Sequence, residues 1–216
     1  MKIDAVILAK STMWGNFCVA GLDMHSGMWV RFVSYGDGEP LSDSQMMFIN
    51  DSGSCNPLDV ARIRIVHRMP RKNHTEDCMI ERDAWLKLGR LTVEEVLQVH
   101  EAESYRYIFG NGREYVDEEE MSQLRLRYSL ILIKAEKFRL YLERNLEGKV
   151  KYRAEFIHNN RHYSSIRVTD PEYTSGGSIN LETAYLVMSM PAKPFIIEGY
   201  MGRYYKLIAK ILPPQS

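Results

Sequence analysis

The chain has 216 residues, of which 45% are hydrophobic and 26% are charged, and this composition fits one sizeable globular domain or two small ones. Its 28 basic and 28 acidic side chains give a net charge of +0, which excludes a protein that coats nucleic acid by bulk positive charge. We expect neither a signal peptide nor a membrane span, because no segment approaches the roughly 20 apolar residues that a span needs. Three widely spaced cysteines, Cys18, Cys55 and Cys78, predict reduced thiols and a cytoplasmic location.

The first third of the chain predicts a β-meander with one short helical turn. Asp23 to Gly27 is rich in turn residues and lies between two apolar runs, which indicates a β-hairpin. Ser42 and Gln45 are spaced as a capping pair for a helical turn over 42–48. The strands of this region are predicted at 3–9, 17–22, 28–33 and 60–66.

A helical insertion is predicted over about 80–125. Thr92 and Glu95 form a capping box ahead of an apolar helical pattern, and Asp117 begins a second helix with three glutamates in its first turn. From 94 to 120, nine acidic residues oppose two basic ones, a net charge of −7. We interpret the run at 117–120 as compensation of the helix dipole, and its use as a docking site for a protein partner stays open.

The second half of the chain returns to strand patterns. Together with the first four strands they make two meanders of five strands each, the number found in an OB-type barrel. We therefore predict a mostly β protein with two tandem five-stranded OB-type barrels, the first over 1–134 and the second over 135–216. The later strands are predicted at 128–134, 137–143, 150–157, 162–169, 184–190 and 204–212.

The hairpin over 151–171 allows its register to be predicted from its side chains. A two-residue loop at Asn159-Asn160 places Ile166 on the same face as Lys151, which wastes an apolar residue. An odd-length loop with a left-handed Asn160 instead aligns Ala154 with Ile166 on an inner face. The outer face then carries mixed basic, aromatic and apolar side chains: Lys151, Arg153, Ile157, Tyr163 and Arg167. The surrounding segment 134–167 holds nine basic and four acidic residues, a net charge of +5.

Several motifs resemble those of the prokaryotic dual OB-containing domain family. They are ILAKS at 7–11, CVAGLD at 18–23 with SGMWVRFVS at 26–34, KLGRLTVEEVL at 87–97, YRAEF at 152–156 with RHYSSIRVTDP at 161–171, and RYYKLIAKIL at 203–212. The resemblance extends over nearly the whole chain. It implies two OB barrels in tandem and carries over no catalytic residues.

OB barrels commonly bind single-stranded nucleic acid on the face around their second and third strands. We therefore predict a non-catalytic module that binds single-stranded DNA or RNA, in which arginines contact phosphates and aromatic rings stack on bases. Trp29 and Arg31 share a face in the first barrel. The predicted nucleic-acid-binding residues are Trp29, Arg31, Lys151, Arg153, Tyr163 and Arg167.

Two other functions are compatible with the sequence. One is a protein interaction module that docks through the acidic helical insertion, and the other is a regulator or enzyme with a small ligand between the barrels. We expect no catalysis, cofactor or metal site. His67, His74, Asp77 and Cys78 are metal-ligating residue types, but their spacing matches no standard zinc pattern. The arrangement of charges distinguishes the candidate functions. A continuous basic groove favours nucleic-acid binding, whereas pairing of the basic residues of 134–167 with Glu136, Glu143 and Glu155 favours the interaction module.

Overall fold

The computed structural model describes residues 1–13, 15–34, 38–144, 148, 150–173, 177–196 and 201–214, the side chains of 83 and 84 excepted. The chain forms two compact units, Met1–Glu101 and Ala102–Pro214, each with its own closed barrel. None of the helices in these ranges is long and apolar enough to cross a membrane.

The first unit is a five-stranded barrel. Going round it, the strand order is β1-β2-β3-β5-β4, and all neighbours are antiparallel except β3 and β5. A short 3-10 helix, Asp43–Met46, follows β3 and has the predicted Ser42–Gln45 capping box, and helix α1 (Val93–Val99) follows β5 with the predicted Thr92–Glu95 box. The strands are β1 (Lys2–Met13), β2 (Asn16–Asp23), β3 (Trp29–Val33), β4 (Asp59–Arg68) and β5 (Asp77–Arg90).

The second unit repeats this topology. Its barrel has the order β7-β8-β9-β12-β10, and β9 and β12 form its parallel pair. Outside the barrel, β6 (Tyr115–Asp117) pairs with β11 (Arg203–Tyr205), and helix α2 (Glu118–Leu124) follows β6. The barrel strands are β7 (Leu130–Arg144), β8 (Val150–His158), β9 (Arg161–Val168), β10 (Ile179–Ser189) and β12 (Leu207–Leu212).

The segment between the two barrels belongs to the core of the second unit. Ile108, Phe109 and Val116 are fully buried in the same apolar cluster as Phe156 and Tyr163 of the barrel. Burial of large apolar side chains is the main stabilising contribution to a small domain. The segment from 102 to 129 is thus an integral part of the second unit.

The predicted fold class, two five-stranded OB-type barrels in a mostly β chain, is confirmed. The assignment of strands to barrels differs in two places. The fifth strand of the first barrel is β5, in a region predicted to begin the helical insertion, and the predicted strand at 128–134 belongs to the second barrel. The two units therefore divide between Glu101 and Ala102, whereas the predicted boundary lies at 134/135.

Backbone irregularities account for both differences. Three register shifts interrupt the pairing of β4 with β5, so that the inward-facing Ile80 and Trp85 lie five residues apart and break the alternation of a regular strand. In β7, Lys137 has φ +50 next to a register shift between Glu136 and Arg139. One bent strand therefore gives the pattern of two short ones.

Candidate nucleic-acid interface

The hairpin β8–β9 combines the two registers that its sequence permits. Asn159 and Asn160, with φ of +49 and +59, form a two-residue turn, and Phe156 lies opposite Tyr163. The register then shifts, and Ala154 lies opposite Ile166 as predicted. Ser165, with φ +56, lies in this bulge. A bulge inside the strand, and not an odd-length loop, thus brings both Tyr163 and Ile166 to the inner face.

Tyr163 is therefore a core residue, and its predicted place on the outer face is wrong. Its side chain is 1% exposed, its ring stacks on Phe156 at 5.5 Å, and its hydroxyl accepts a hydrogen bond from the backbone N–H of Ile108 at 3.1 Å. Burial raises the pKa of the phenol. Tyr163 thus ties the segment before β6 to the barrel and is not available to stack on a base.

We expect Tyr163→Phe to destabilise the second unit by about 1 to 3 kcal/mol, because the buried N–H of Ile108 loses its acceptor while the ring stays in place. Urea unfolding followed by far-ultraviolet circular dichroism measures the change. Tyr141→Phe is the matched control, since its half-buried hydroxyl makes only a 3.4 Å contact with Ser165 Oγ. Equal losses in the two variants would contradict a structural role for the Tyr163 hydroxyl.

In the first barrel, Arg31 lies on the same side of β3 as Trp29, opposite the core residues Val30 and Phe32, but other side chains cover it. Arg31 is 7% exposed and forms ion pairs with Glu76 at 3.1 Å and Asp77 at 3.3 Å. Trp29 is half-buried and makes an edge contact with the His100 ring, at 6.1 Å between centroids. The structure therefore contradicts the predicted pairing of Trp29 and Arg31 as an exposed binding surface.

The surroundings of Arg31 form a buried ionic cluster, which we define as Arg31, Arg71, His74, Glu76 and Asp77. Arg71 donates from Nε to Asp77 Oδ2 at 3.1 Å, and His74 Nδ1 contacts Arg31. Burial raises the pKa of Asp77, and the attraction of Arg31 and Arg71 opposes this rise. Two arginines thus face two carboxylates, and donors of both arginines are directed to these carboxylates and not to solvent.

The second barrel carries a basic and aromatic row on its outside. Tyr141, Arg153, Arg167 and Leu207 lie directly opposite one another on β7, β8, β9 and β12. Arg167 is exposed and the other three are half-buried, whereas the preceding or following residue in each strand faces the core. The row therefore crosses the face of the second and third barrel strands, where OB folds bind their ligands.

Two arginines of this row lie side by side. Arg153 donates from Nε to Glu143 at 2.9 Å and from Nη1 to the Ser165 carbonyl at 3.1 Å. Arg167 has no ion pair among the described residues. Like charges directly opposite on neighbouring strands are unfavourable, and an anion between them relieves the repulsion.

Other basic residues near the row are paired with glutamates. Lys134 lies 3.9 Å from Glu136, and Arg139 lies 3.2 Å from Glu155. Arg153 pairs with Glu143, so that Glu136, Glu143 and Glu155 each have a basic partner. Lys151 is exposed on β8 opposite Glu143. The predicted basic segment is therefore a mixed surface in which Arg167 and Lys151 are the accessible cations on β8 and β9.

A second feature of the unit is a cluster of aromatic rings beside β11, which we call the aromatic cluster: Tyr115, Phe195 and Tyr205. Tyr205 makes edge contacts with Tyr115 at 5.7 Å and with Phe195 at 6.3 Å, and the Arg203 guanidinium lies 4.3 Å from the Tyr115 ring centre. Phe195 is 62% exposed. It lies between the fourth and fifth barrel strands, a loop that OB folds use for binding.

A family model of the dual OB-containing domain matches residues 3–211. The chain belongs to this family. No curated protein and no solved structure matches it. Membership in the dual OB-containing domain family agrees with the strand order, in which both barrels have the same sequence of antiparallel neighbours and one parallel pair.

The sequence of this dual OB-containing domain does not predict the aromatic cluster, because the three residues come from distant segments of the chain. The tyrosines of RYYKLIAKIL were available as a signal, but pairing Tyr205 with Tyr115 requires the contact between β6 and β11. The acidic run lies in the first turn of α2, as predicted, and it also forms a capping box that was not predicted. Asp117 accepts from the Glu120 N–H at 2.9 Å, and Arg113 pairs with both carboxylates.

Proposed function

We propose that the second barrel binds single-stranded nucleic acid on the row formed by Tyr141, Arg153 and Arg167. The supporting observation is the direct opposition of Arg153 and Arg167 across β8 and β9 on the face that OB folds use. A phosphate placed between two guanidiniums removes their repulsion and gains charge-assisted hydrogen bonds. Lys151, two residues before Arg153, extends the positive surface along β8.

The aromatic cluster supports the same ligand. Phe195 presents an exposed ring beside the fourth and fifth strands, and a base stacked on an aromatic side chain contributes about 1 to 3 kcal/mol. Leu207, the last member of the row, lies two residues after Tyr205 of the cluster. If phosphates contact the row and bases stack on Phe195, the nucleic-acid strand binds without a strict sequence preference.

The three free cysteines support a cytoplasmic location for this activity.

The test is fluorescence anisotropy of labelled single-stranded DNA and RNA with the wild type and an Arg167→Glu variant over a salt series. We expect Arg167→Glu to weaken binding about tenfold and to reduce the salt slope by about 1. Arg64→Glu is the matched control, because Arg64 is an exposed arginine on β4 of the first barrel. Equal weakening by both variants would show that only net charge matters and would overturn the assignment to the row.

A protein interaction module is the second candidate, and the pairing of basic residues with Glu136, Glu143 and Glu155 favours it. These pairs reduce the positive electrostatic potential that would attract a polyanion. Glu118 and Glu119 of α2 are exposed, so the acidic run at 117–120 presents two carboxylates to a partner. If neither DNA nor RNA binds the wild type near physiological salt, the nucleic-acid proposal fails and this candidate replaces it.

A further inference from the structure

The side chain of Asn111 is held in one orientation inside the second unit. Its amide nitrogen donates to the Tyr115 carbonyl and to Glu120 Oε2, both at 3.1 Å, and its amide oxygen accepts from the Arg113 N–H at 3.0 Å. Lys206 Nζ lies 2.8 Å from the same oxygen. These contacts distinguish the two ends of the carboxamide and place the Lys206 amine beside its carbonyl group.

Lys206 is a buried amine without an ion pair among the described residues. It is 1% exposed, and Nζ also donates to the backbone carbonyl of Asn111 at 2.6 Å and lies 5.5 Å from the Tyr163 ring centre. Burial is the largest influence on its pKa, which falls to about 7, because a low-dielectric surrounding disfavours the ammonium ion. A substantial fraction of the amine is then uncharged near neutral pH, and an uncharged amine is a nucleophile.

Glu120 lies on the other side of the carboxamide. Its Oε2 accepts from the Asn111 amide nitrogen at 3.1 Å, and Arg113 also contacts this oxygen. The carboxylate is thus in hydrogen-bond contact with the nitrogen that would leave if the carbonyl carbon were attacked. An amine and a carboxylate therefore contact the two ends of one carboxamide, and these are the groups that amide exchange needs.

We propose that Lys206 and Asn111 join in an intramolecular amide bond, with Glu120 carrying the proton. Lys206 Nζ attacks Asn111 Cγ and forms a C–N bond, which places Nζ and Nδ2 on the same carbon atom. The Glu120 carboxylate, which contacts Nδ2, then takes a proton from Nζ and passes it to Nδ2. The Cγ–Nδ2 bond then breaks and ammonia leaves. The products are one amide between the side chains and one ammonia, so atoms and charges balance without an oxidant or a second substrate.

The bond would join positions 95 residues apart. It would connect the segment before β6 to the junction of β11 and β12, the same two parts of the chain that β6 and β11 already pair. A covalent link of this length restricts the unfolded chain in the same way as a disulfide. It also removes the buried amine, whose charged form is disfavoured by burial.

The first experiment is intact-mass spectrometry of the wild-type protein, fresh and after incubation at neutral pH. We expect a mass lower than that of the sequence by about 17 Da, the mass of one ammonia. Glu120→Gln, which keeps the size of the side chain and removes the proton carrier, is expected to retain the full mass. Lys134→Met, which removes an exposed lysine, is expected to show the same deficit as the wild type.

Peptide mapping identifies the bond itself. A cyclic imide formed by Asn111 with the following Gly112 has the same mass deficit, but it joins no second peptide and persists in Lys206→Met. We expect a cross-linked pair of tryptic peptides that contain Asn111 and Lys206 in the wild type and its absence from Lys206→Met. A wild type at full mass after incubation, or a deficit that survives Lys206→Met, would overturn the proposal.

Discussion

Asp77→Ala is expected to destabilise the first unit by about 3 to 5 kcal/mol, because it breaks a buried ion pair. Asp77 is fully buried and pairs with both Arg31 and Arg71. Without the Asp77 carboxylate, Arg31 keeps its ion pair with Glu76 but loses the one with Asp77, and Arg71 loses the acceptor of its Nε. A buried guanidinium that loses one of its carboxylates costs more than the ion pair contributes, because burial keeps water from replacing the lost partner.

Tryptophan fluorescence during urea unfolding measures this effect for the first unit alone, since the three tryptophans, Trp14, Trp29 and Trp85, all lie before residue 101. Asp51→Ala is the matched control, because Asp51 forms an exposed pair with Lys87 and exposed pairs contribute little. We expect its unfolding midpoint to match that of the wild type. A similar midpoint for Asp77→Ala would show that the ionic cluster does not stabilise the barrel.

The ionic cluster also explains why the two barrels are assigned different roles. In each barrel, an arginine lies on the third strand beside the parallel fifth strand: Arg31 opposite Asp77, and Arg167 opposite Leu207. The carboxylates of the first barrel occupy the donors of Arg31, whereas Leu207 offers no charge to Arg167. The same position on the same fold is therefore closed to an external anion in one barrel and open in the other.

Local signals in the sequence predicted much of this architecture. The predicted capping boxes at Ser42 and Thr92 are present, because a capping box is satisfied within four consecutive residues. The strand count was sufficient to predict two OB barrels. Features that depend only on neighbouring residues were thus accessible without knowledge of the fold.

Bulges and long-range contacts set the limit of prediction. The bulge at the left-handed Ser165 changes which side chains of β9 point to the core. Tyr163 is therefore buried, although a regular strand would place it on the outer face. The contact of Lys206 with Asn111 spans 95 residues and leaves no periodic pattern. The candidate site therefore retains Lys151, Arg153 and Arg167 from the prediction and gains Tyr141 and Phe195 from the structure.

Gly21→Ala is expected to destabilise the first barrel by about 3 kcal/mol, because the new methyl group would meet the backbone of β1. A Cβ built at Gly21 lies 2.1 Å from the Val6 carbonyl oxygen and 3.0 Å from Ile7 Cα. Backbone atoms cannot rotate away as a flexible side chain can, so the paired strands must separate. The close approach lies next to the register shift between Ile7 and Ala9, where β1 bends as the barrel closes.

Gly89→Ala separates this clash from the general effect of replacing a strand glycine. Gly89 lies in β5 of the same barrel, neither glycine is left-handed, and a Cβ at Gly89 meets no atom within 4 Å. We expect Gly89→Ala to be neutral or slightly stabilising, because alanine loses less backbone entropy on folding. Tryptophan fluorescence in urea compares the two variants. If both lower the unfolding midpoint equally, the loss comes from strand glycines in general, and the contact between β1 and β2 at Gly21 tolerates a side chain.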